Sequence, residues 1–169
     1  MTFRIDTFRG ADGDVHQRMI VQHPGAVSVL AIDGEDVLLV HQFRGAVDVV
    51  CLEIPAGTLD RDIAGAIEDP DLAAPRELAE ETGFRAETWR KLGRFYTAPG
   101  FASEEMHLYL ATGLTPLPGY AGPPEEERLE VERIPWRDAV RRCETGDISD
   151  AKSIVALFWL ERLALRGEL

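Results

Sequence analysis

The chain has 169 residues, 45% of them hydrophobic, which is enough for one substantial core but short for two, so a single domain spanning 1–169 is expected. Eighteen basic and thirty acidic residues give a net charge of −12, which disfavours polymeric nucleic acid and anionic membranes as partners. The two cysteines, Cys51 and Cys143, lie far apart and away from histidines, so neither a disulfide framework nor a zinc site is predicted. The opening stretch is charged and no apolar run approaches the length of a membrane span, so neither a signal peptide nor a transmembrane helix is predicted, and a cytoplasmic location is expected.

The first third of the chain is rich in β-forming residues. Residues 1–25 predict an N-terminal arm of two strands around the turn residues Gly10 to Gly13. Two apolar runs separated by Asp33-Gly34-Glu35-Asp36 predict a hairpin. The strands predicted in this part are Thr2–Phe8, Arg18–Gln22, Ala26–Ile32, Val37–Phe43 and Val49–Ile54.

A helix is predicted in the middle of the chain. Thr58–Pro70 has no regular apolar period and is predicted to be a loop. Asp71–Thr82 contains helix formers and stops at Gly83, the residue best suited to the left-handed position beyond a helix C-terminus.

The last part of the chain alternates strand and helix signals. The acidic, Pro/Gly-rich stretch Pro116–Glu127 is predicted to be mobile. The other elements predicted here are strands at Lys91–Tyr96, Met106–Ala111 and Leu129–Ile134, and helices at Trp136–Glu144 and Ala151–Arg166.

Three glutamates of the predicted helix share one face. Glu77, Glu80 and Glu81 have i, i+3 and i+4 spacing. Like charges at that spacing cost an isolated helix roughly 0.2 to 0.5 kcal/mol per pair, so either solvent or a cation must relieve them. The spacing alone therefore leaves open a solvated acidic face and a site for Mg²⁺ or Mn²⁺, which prefer oxygen ligands.

The sequence around these glutamates resembles the signature of the Nudix hydrolase family. The run from Arg76 to Phe84, Arg-Glu-Leu-Ala-Glu-Glu-Thr-Gly-Phe, matches every specified position of the core of the Nudix box, and Glu68 matches the glutamate eight positions earlier. Asp62 stands where the box has a glycine. Because Gly57 ends a Glu-Ile-Pro-Ala-Gly run similar to the usual lead-in, the box is interpreted as spanning 57–84 with an insertion of about five residues.

Three further segments resemble the Nudix subgroup that hydrolyses ADP-ribose. His23-Pro24-Gly25-Ala26-Val27 followed by Val40-His41-Gln42-Phe43-Arg44 is similar to a strand pair of that subgroup. Pro99 lies fifteen residues beyond Phe84, near the proline that marks the subgroup. Ala98-Pro99-Gly100-Phe101-Ala102-Ser103-Glu104 is similar to its Ser-Pro-Gly-Phe-Ser-Asp-Glu segment.

The resemblance implies a fold and a set of catalytic groups. The fold would be α/β, an α/β/α sandwich around a mixed sheet. Glu77, Glu81 and Glu80 would bind Mg²⁺ or Mn²⁺ with the backbone carbonyl of Ala56, and Arg76 would orient the glutamates. Glu80 and Arg76 would thereby serve catalysis as well as metal binding.

The resemblance also implies groups that contact the substrate and the attacking water. Glu127, within Glu125-Glu126-Glu127, is the best match to a loop glutamate that orients or deprotonates the water. Arg44, Glu53 and Glu104 match positions that bind substrate. A solvated acidic turn for Glu127 and surface positions for Arg44 and Glu104 are the alternatives.

The implied activity is metal-dependent hydrolysis of ADP-ribose to AMP and ribose 5-phosphate, by a homodimer in which the N-terminal β segment reaches across to the partner. Met19 stands where the subgroup often has a glutamate, which weakens the assignment of adenine. Other nucleotide compounds, such as GDP-mannose, another nucleotide sugar or a dinucleoside polyphosphate, are therefore alternatives within the same chemistry. A module that binds a nucleotide without hydrolysing it is an alternative of another class.

Overall fold

The structure, a computed structural model, describes residues 1–120 and 129–169. Its strands are β1 (Thr2–Arg9), β2 (Val15–Gln22), β3 (Ala26–Asp33), β4 (Asp36–Arg44), β5 (Val49–Glu53), β6 (Ala56–Thr58), β7 (Phe84–Tyr96), β8 (Glu105–Pro116) and β9 (Glu130–Pro135). Its helices are α1 (Pro70–Thr82), α2 (Trp136–Thr145) and α3 (Ala151–Leu165).

Strand β3 is the centre of a mixed sheet. It pairs in parallel with β8 and antiparallel with β6, and β8 continues the sheet through antiparallel β7. Strand β4 pairs with β5 and β9, but with β3 only beside their turn, at Ile32–Val37 and Asp33–Asp36. The predicted hairpin is confirmed, and its two strands separate beyond the turn so that the sheet opens between β3 and β4.

Helices cover both faces of this sheet. Alternate side chains of β3 point in opposite directions, as the two-residue period of a strand requires. Val27 and Val29 pack in one cluster with Leu78 of α1, whereas Leu30 packs in another with Leu157 of α3. Burial on both faces explains why β3 is a continuous apolar run rather than an alternating one.

Helix α1 is bounded by local chemistry at both ends. The Asp69 side chain accepts a hydrogen bond from the backbone N–H of Asp71 and caps the N-terminus, so the helix starts one residue before the predicted position. Gly83 has φ 73° and donates its N–H to the carbonyl of Ala79, which confirms the predicted end. Pro75 lies inside the helix, where it has no N–H to donate.

The segment before α1 is more ordered than the predicted loop. Thr58 belongs to β6 and Pro70 to α1, so the predicted boundaries of the loop are wrong at both ends. Between them the chain makes a tight excursion, closed by a hydrogen bond from the N–H of Asp62 to the carbonyl of Ala66. At its base the N–H of Glu68 donates to the carbonyl of Asp60, at 2.9 Å. The excursion accommodates the extra residues and returns the chain beside α1.

Strand β7 is longer than predicted. It begins at Phe84 rather than Lys91, because Phe84 and Trp89 pack against the cluster under α1 while charged neighbours face solvent. The register shifts between Lys91 and Gly93, which marks a β-bulge or irregularity that breaks the simple alternation of the strand.

Strands β1 and β2 form a separate two-stranded hairpin at the N-terminus. It joins the rest of the chain through Val21, whose N–H donates to the carbonyl of Phe101, at 2.8 Å. Phe3, Ile5 and Met19 on this hairpin have 57 to 65% exposed surfaces. None of the helices within 1–120 and 129–169 has both the length and the apolar character needed to cross a membrane.

Candidate active site

A cavity of about 560 Å³ opens where β4, β5, β6 and the start of α3 meet. Its lining combines backbone of β6 with charged side chains from distant parts of the chain. The residues that line it include Arg44, Glu53, Ala56, Gly57, Thr97, Glu104 and Lys152. The residues predicted to bind substrate and the backbone beside the predicted metal site therefore face one space.

Glu77 of α1 packs directly against Gly57 of β6. A Cβ atom at Gly57 would lie 1.9 Å from Cδ of Glu77, so no residue with a side chain fits there without displacing the carboxylate. Glu77 is only 8% exposed, and burial raises its pKa above the usual range of a glutamate while the charge of Arg76 opposes that shift. The glycine thus creates a recess for a carboxylate.

Glu81, one helical turn further along α1, approaches the neighbouring residue of β6. The backbone N–H of Ala56 donates to Oε2 of Glu81 at 2.9 Å. Burial raises the pKa of Glu81 to about 7 despite that hydrogen bond, and the negative charge of Glu77 adds to the shift. The carboxylates of Glu77 and Glu81 therefore both lie beside β6, and both have raised pKa values.

Arg76 connects α1 to the excursion that precedes it. Its Nε and Nη2 donate to the two oxygens of Glu68, at 3.0 and 2.7 Å. Its Nη1 lies 2.9 Å from Oε1 of Glu77 and donates to Oε2 of Glu80 at 3.0 Å. One guanidinium therefore holds three carboxylates, and the bidentate pair with Glu68 raises the pKa of Arg76.

The acidic groups suit a divalent cation in chemistry, although they do not already form a cage. Within the described ranges, no set of three His, Cys, Asp or Glu side chains is arranged to surround a metal ion. Glu80 is more exposed than its neighbours, with 58% of its side chain accessible. Glu77 and Glu81 are better suited to bind the cation than Glu80. Burial disfavours their ionised forms, so a nearby cation would stabilise those forms most.

Arg44 and Glu53 form an ion pair on the cavity wall, in which the carboxylate is buried and the guanidinium is partly exposed. Arg44 donates from Nε and Nη2 to the two oxygens of Glu53, at 2.7 and 2.6 Å, and Glu53 is 1% exposed. Lys152, at the start of α3, also donates to Glu53 and lies 3.0 Å from Asp150. Arg44 and Lys152 together balance Glu53 and Asp150 in charge, and Arg44, with 40% of its side chain exposed against 7% for Lys152, is the cation that faces the cavity.

Glu104 comes from another part of the chain. Thr97 Oγ1 donates to Oε2 of Glu104, and Nε2 of His23 lies 3.5 Å from Oε1. About a quarter of the Glu104 side chain is exposed, and Thr97 also lines the cavity. Glu104 is thus held at the cavity rather than turned to bulk solvent.

The structure brings most of the predicted site residues together. Glu77 and Glu81 meet β6, while Arg44, Glu53 and Glu104 share the cavity wall with Ala56. Glu127 and the adjoining Glu125 and Glu126 lie outside the described residues. Glu80 is joined to the same cluster through its ion pair with Arg76, which also contacts Glu77.

Three residues of this region were given no role from the sequence. Lys152 is the second residue of a largely apolar helix, and a lysine at such a position is a signal that could have suggested a buried partner. Thr97 carries no comparable signal, since isolated threonines are common in strands and turns. His23 lies within a recognised segment but was assigned no role of its own.

The chain is similar to several known proteins. A model of the NUDIX domain matches residues 22–157. The ADP-ribose pyrophosphatase of Bacillus subtilis (strain 168) is 40% identical over 151 residues, covering 89% of this chain and 79% of that protein. The methanol dehydrogenase activator of Bacillus methanolicus is 37% identical over 159 residues, covering 94% of this chain and 83% of that protein.

A solved structure shares the whole architecture. The crystal structure of an ADP compounds hydrolase superposes with a TM-score of 0.79 at 26% identity, covering 99% of this chain and 89% of the other. The likeness therefore includes the N-terminal hairpin as well as the central sheet and its helices.

Proposed function

The chain belongs to the Nudix family, and from that premise we propose that it hydrolyses the pyrophosphate of ADP-ribose to AMP and ribose 5-phosphate with Mg²⁺ or Mn²⁺. The observation that carries the proposal is the placement of the Glu77 and Glu81 carboxylates beside β6, next to a cavity that contains Arg44. Anionic groups for a cation and a cationic group for a phosphate then lie at one site, as transfer of a phosphoryl group to water requires.

Glu77 and Glu81 would hold the divalent cation, with Glu80 and the carbonyl of Ala56 completing its protein ligands. When bound, the cation neutralises the pyrophosphate and lowers the pKa of a bound water. Arg76 contributes by fixing Glu77 and Glu80 relative to Glu68, so that their carboxylates do not have to be ordered when substrate arrives. Glu127 is proposed as the group that orients or deprotonates the attacking water.

Arg44, Glu53 and Glu104 would bind the substrate. Arg44 suits a phosphate because its guanidinium is 40% exposed and keeps further N–H groups to donate beyond the Nε and Nη2 that hold Glu53. The pairing of Glu53 with Lys152 means that Arg44 is not the only cation that balances Glu53. Glu53 would hold Arg44 in place and contact the substrate at its edge. Glu104 offers a carboxylate acceptor suited to hydroxyl groups of a sugar.

Two observations support ADP-ribose as the substrate. The relative from Bacillus subtilis is named an ADP-ribose pyrophosphatase, and the segments around His23 and Glu104 resemble those of the ADP-ribose subgroup. The name of the relative from Bacillus methanolicus differs at similar identity, so likeness alone does not decide among substrates. Met19, in place of the glutamate of the subgroup, favours testing other nucleoside diphosphate compounds beside ADP-ribose.

The test is a substrate panel with product analysis. Purified protein is incubated with Mg²⁺ or Mn²⁺ and ADP-ribose, GDP-mannose, UDP-glucose, NADH or a dinucleoside polyphosphate, and nucleotide products are separated by chromatography. We expect AMP to form fastest from ADP-ribose, and Glu81→Gln to fold normally with no measurable turnover. A preference for another compound would replace the substrate and keep the chemistry. Tight binding without product would support a nucleotide-binding module instead, and near-native activity of Glu81→Gln would exclude the metal assignment.

The N-terminal hairpin is proposed to form the contact of a homodimer. Phe3, Ile5 and Met19 lie on one of its faces, since Ile5 is opposite Met19 and Phe3 is two residues away, and all three are exposed in the single chain. Sedimentation analysis should give a dimer for the native protein and a monomer for Ile5→Asp. Asp6→Ser, on the opposite face, is the matched control and should remain a dimer. Each subunit is proposed to act as one domain over 1–169, which predicts a single cooperative unfolding transition for the monomeric variant.

A further inference from the structure

Both oxygens of the Glu104 carboxylate have a close neighbour, Thr97 or His23, and the sequence predicts neither of these as a site residue. Thr97 Oγ1 donates to Oε2, and Nε2 of His23 lies 3.5 Å from Oε1. The backbone N–H of Thr97 also donates to the carbonyl of Glu104, at 3.3 Å. Because the contacts reach different oxygens, they restrict rotation of the carboxylate as well as its position.

His23 is itself fixed in one orientation and one tautomer. The backbone N–H of Gly25 donates to Nδ1 of His23 at 3.1 Å, so the ring proton lies on Nε2, the nitrogen that faces Glu104. The N–H of His23 donates to Oγ of Ser103 at 2.9 Å, which ties the segment around His23 to the one around Glu104. The His23 side chain is only 8% exposed. A buried, neutral imidazole therefore supports the carboxylate.

These neighbours support Glu104 without adding positive charge. A threonine hydroxyl and a neutral imidazole leave the negative charge of Glu104 available to the cavity, whereas Glu53 is offset by Arg44 and Lys152. A negative carboxylate repels phosphate oxygens and accepts hydrogen bonds from hydroxyl groups. The cavity therefore has a phosphate-binding side at Arg44 and a hydroxyl-binding side at Glu104.

We propose that Thr97 and His23 are positioning residues that fix Glu104 to accept hydrogen bonds from the sugar hydroxyls of the substrate. The inference rests on the proposed function and deepens it. It implies that the enzyme selects diphosphates joined to a group that carries hydroxyls. This selection would depend on Thr97 and His23, which act on the substrate through Glu104.

The test separates substrate binding from chemistry. Thr97→Val removes the donor hydroxyl at nearly constant volume, and Thr97→Ser restores it. We expect the KM for ADP-ribose to rise about five- to tenfold in Thr97→Val, the loss that one hydrogen bond produces, with kcat within about twofold of native. Thr97→Ser should stay within about twofold in both constants. Should Thr97→Val unfold, His23→Asn replaces it, because the asparagine oxygen can still accept from Gly25 while the contact from Nε2 is lost.

A double-mutant cycle shows whether Thr97 acts through Glu104. If it does, Thr97→Val adds no further rise in KM once Glu104→Gln is present. A native KM in both Thr97→Val and His23→Asn would overturn the proposal, as would a full additional five- to tenfold rise in the double variant. Unchanged melting temperatures exclude a general loss of structure.

The same variants are compared by calorimetric Kd for ADP-ribose, so the result does not depend on turnover. If the native protein binds ADP-ribose without hydrolysing it, and the variants weaken Kd by the expected factors, the proposed hydrolysis is wrong but the positioning of Glu104 stands. If the native protein hydrolyses ADP-ribose and every variant keeps the native Kd and the native KM, the hydrolysis stands but the positioning of Glu104 is wrong. A native protein that neither binds nor hydrolyses ADP-ribose would overturn both.

Discussion

The backbone N–H of Ala56 donates its hydrogen bond to the carboxylate of Glu81, and this contact joins β6 to the last turn of α1. One hydrogen bond does not offset the burial of the carboxylate, which raises the pKa of Glu81 to about 7. In the metal-free protein at neutral pH, Glu81 therefore titrates, and the stability of the fold depends on its protonation.

The first prediction is the pH dependence of stability without metal. Because the pKa of Glu81 in the folded protein, about 7, lies above the ordinary glutamate pKa of 4.5, the fold favours the protonated form. The contribution to stability is complete below about pH 4.5 and is lost as pH rises through 7. In EDTA, Glu81→Gln should match the native protein at pH 4.5 and exceed its melting temperature by at least about 2 °C at pH 8.

Circular dichroism melts from pH 4.5 to pH 8 give this comparison, and the difference between the two proteins isolates Glu81 from other titrating groups. Adding Mg²⁺ at pH 8 should raise the melting temperature of the native protein more than that of Glu81→Gln. A constant difference across the pH range would contradict the prediction.

The second prediction concerns the glycine that makes room for Glu77. Gly57→Ala places a methyl carbon 1.9 Å from Cδ of Glu77, so the carboxylate must move by an ångström or more. We expect kcat to fall by about a hundredfold or more, because misplacement on that scale removes a group from its productive geometry. Gly100→Ala is the matched control, since an added Cβ there meets nothing within 4 Å. Activity within about twofold of native in Gly57→Ala would show that the recess at Gly57 is not needed to place the Glu77 carboxylate.

Local features of the site could be predicted from the sequence because short stretches determine them. The spacing of Glu77, Glu80 and Glu81 defines one face of any helix, and Gly83 ends that helix because it adopts a left-handed conformation without strain. Neither inference needs a tertiary contact, and both agree with the structure.

Contacts between distant residues could not be predicted in the same way. Glu53 and Lys152 are 99 residues apart, and although a lysine in a largely apolar helix suggests a buried partner, nothing near Lys152 identifies Glu53 as that partner. The first half of β7 was missed because Trp89 and its charged neighbours acquire inward and outward faces only when β8 pairs with them. Both features depend on which elements pack together.

The third prediction tests how Arg76 organises the box. Arg76→Lys keeps a positive charge but cannot donate two parallel hydrogen bonds to Glu68 while also reaching Glu77 and Glu80. We expect kcat to fall about ten- to a hundredfold and the Mg²⁺ concentration for half-maximal activity to rise. Arg90→Lys, in an exposed pair with Glu168, is the control and should change neither value by more than about twofold. Equal behaviour of the two variants would mean that the bidentate geometry has no role.

The fourth prediction concerns Lys152 beneath the cavity. Lys152→Met removes a charged hydrogen bond from buried Glu53, which should lower the stability by about 2 kcal/mol and the melting temperature by about 4 to 8 °C. Glu53 then draws on Arg44 alone, so the positive charge available to a phosphate falls and KM should rise at least about fivefold.

Lys91→Met is the matched control for this substitution. Lys91 lies 3.5 Å from Asp71 in an exposed pair, where loss of the charge should cost less than about 1 kcal/mol and leave KM unchanged. Melting curves and steady-state kinetics on both variants decide the question. If Lys152→Met lowers stability but leaves KM native, Lys152 supports only the fold, and the charge that Arg44 presents to substrate does not depend on it.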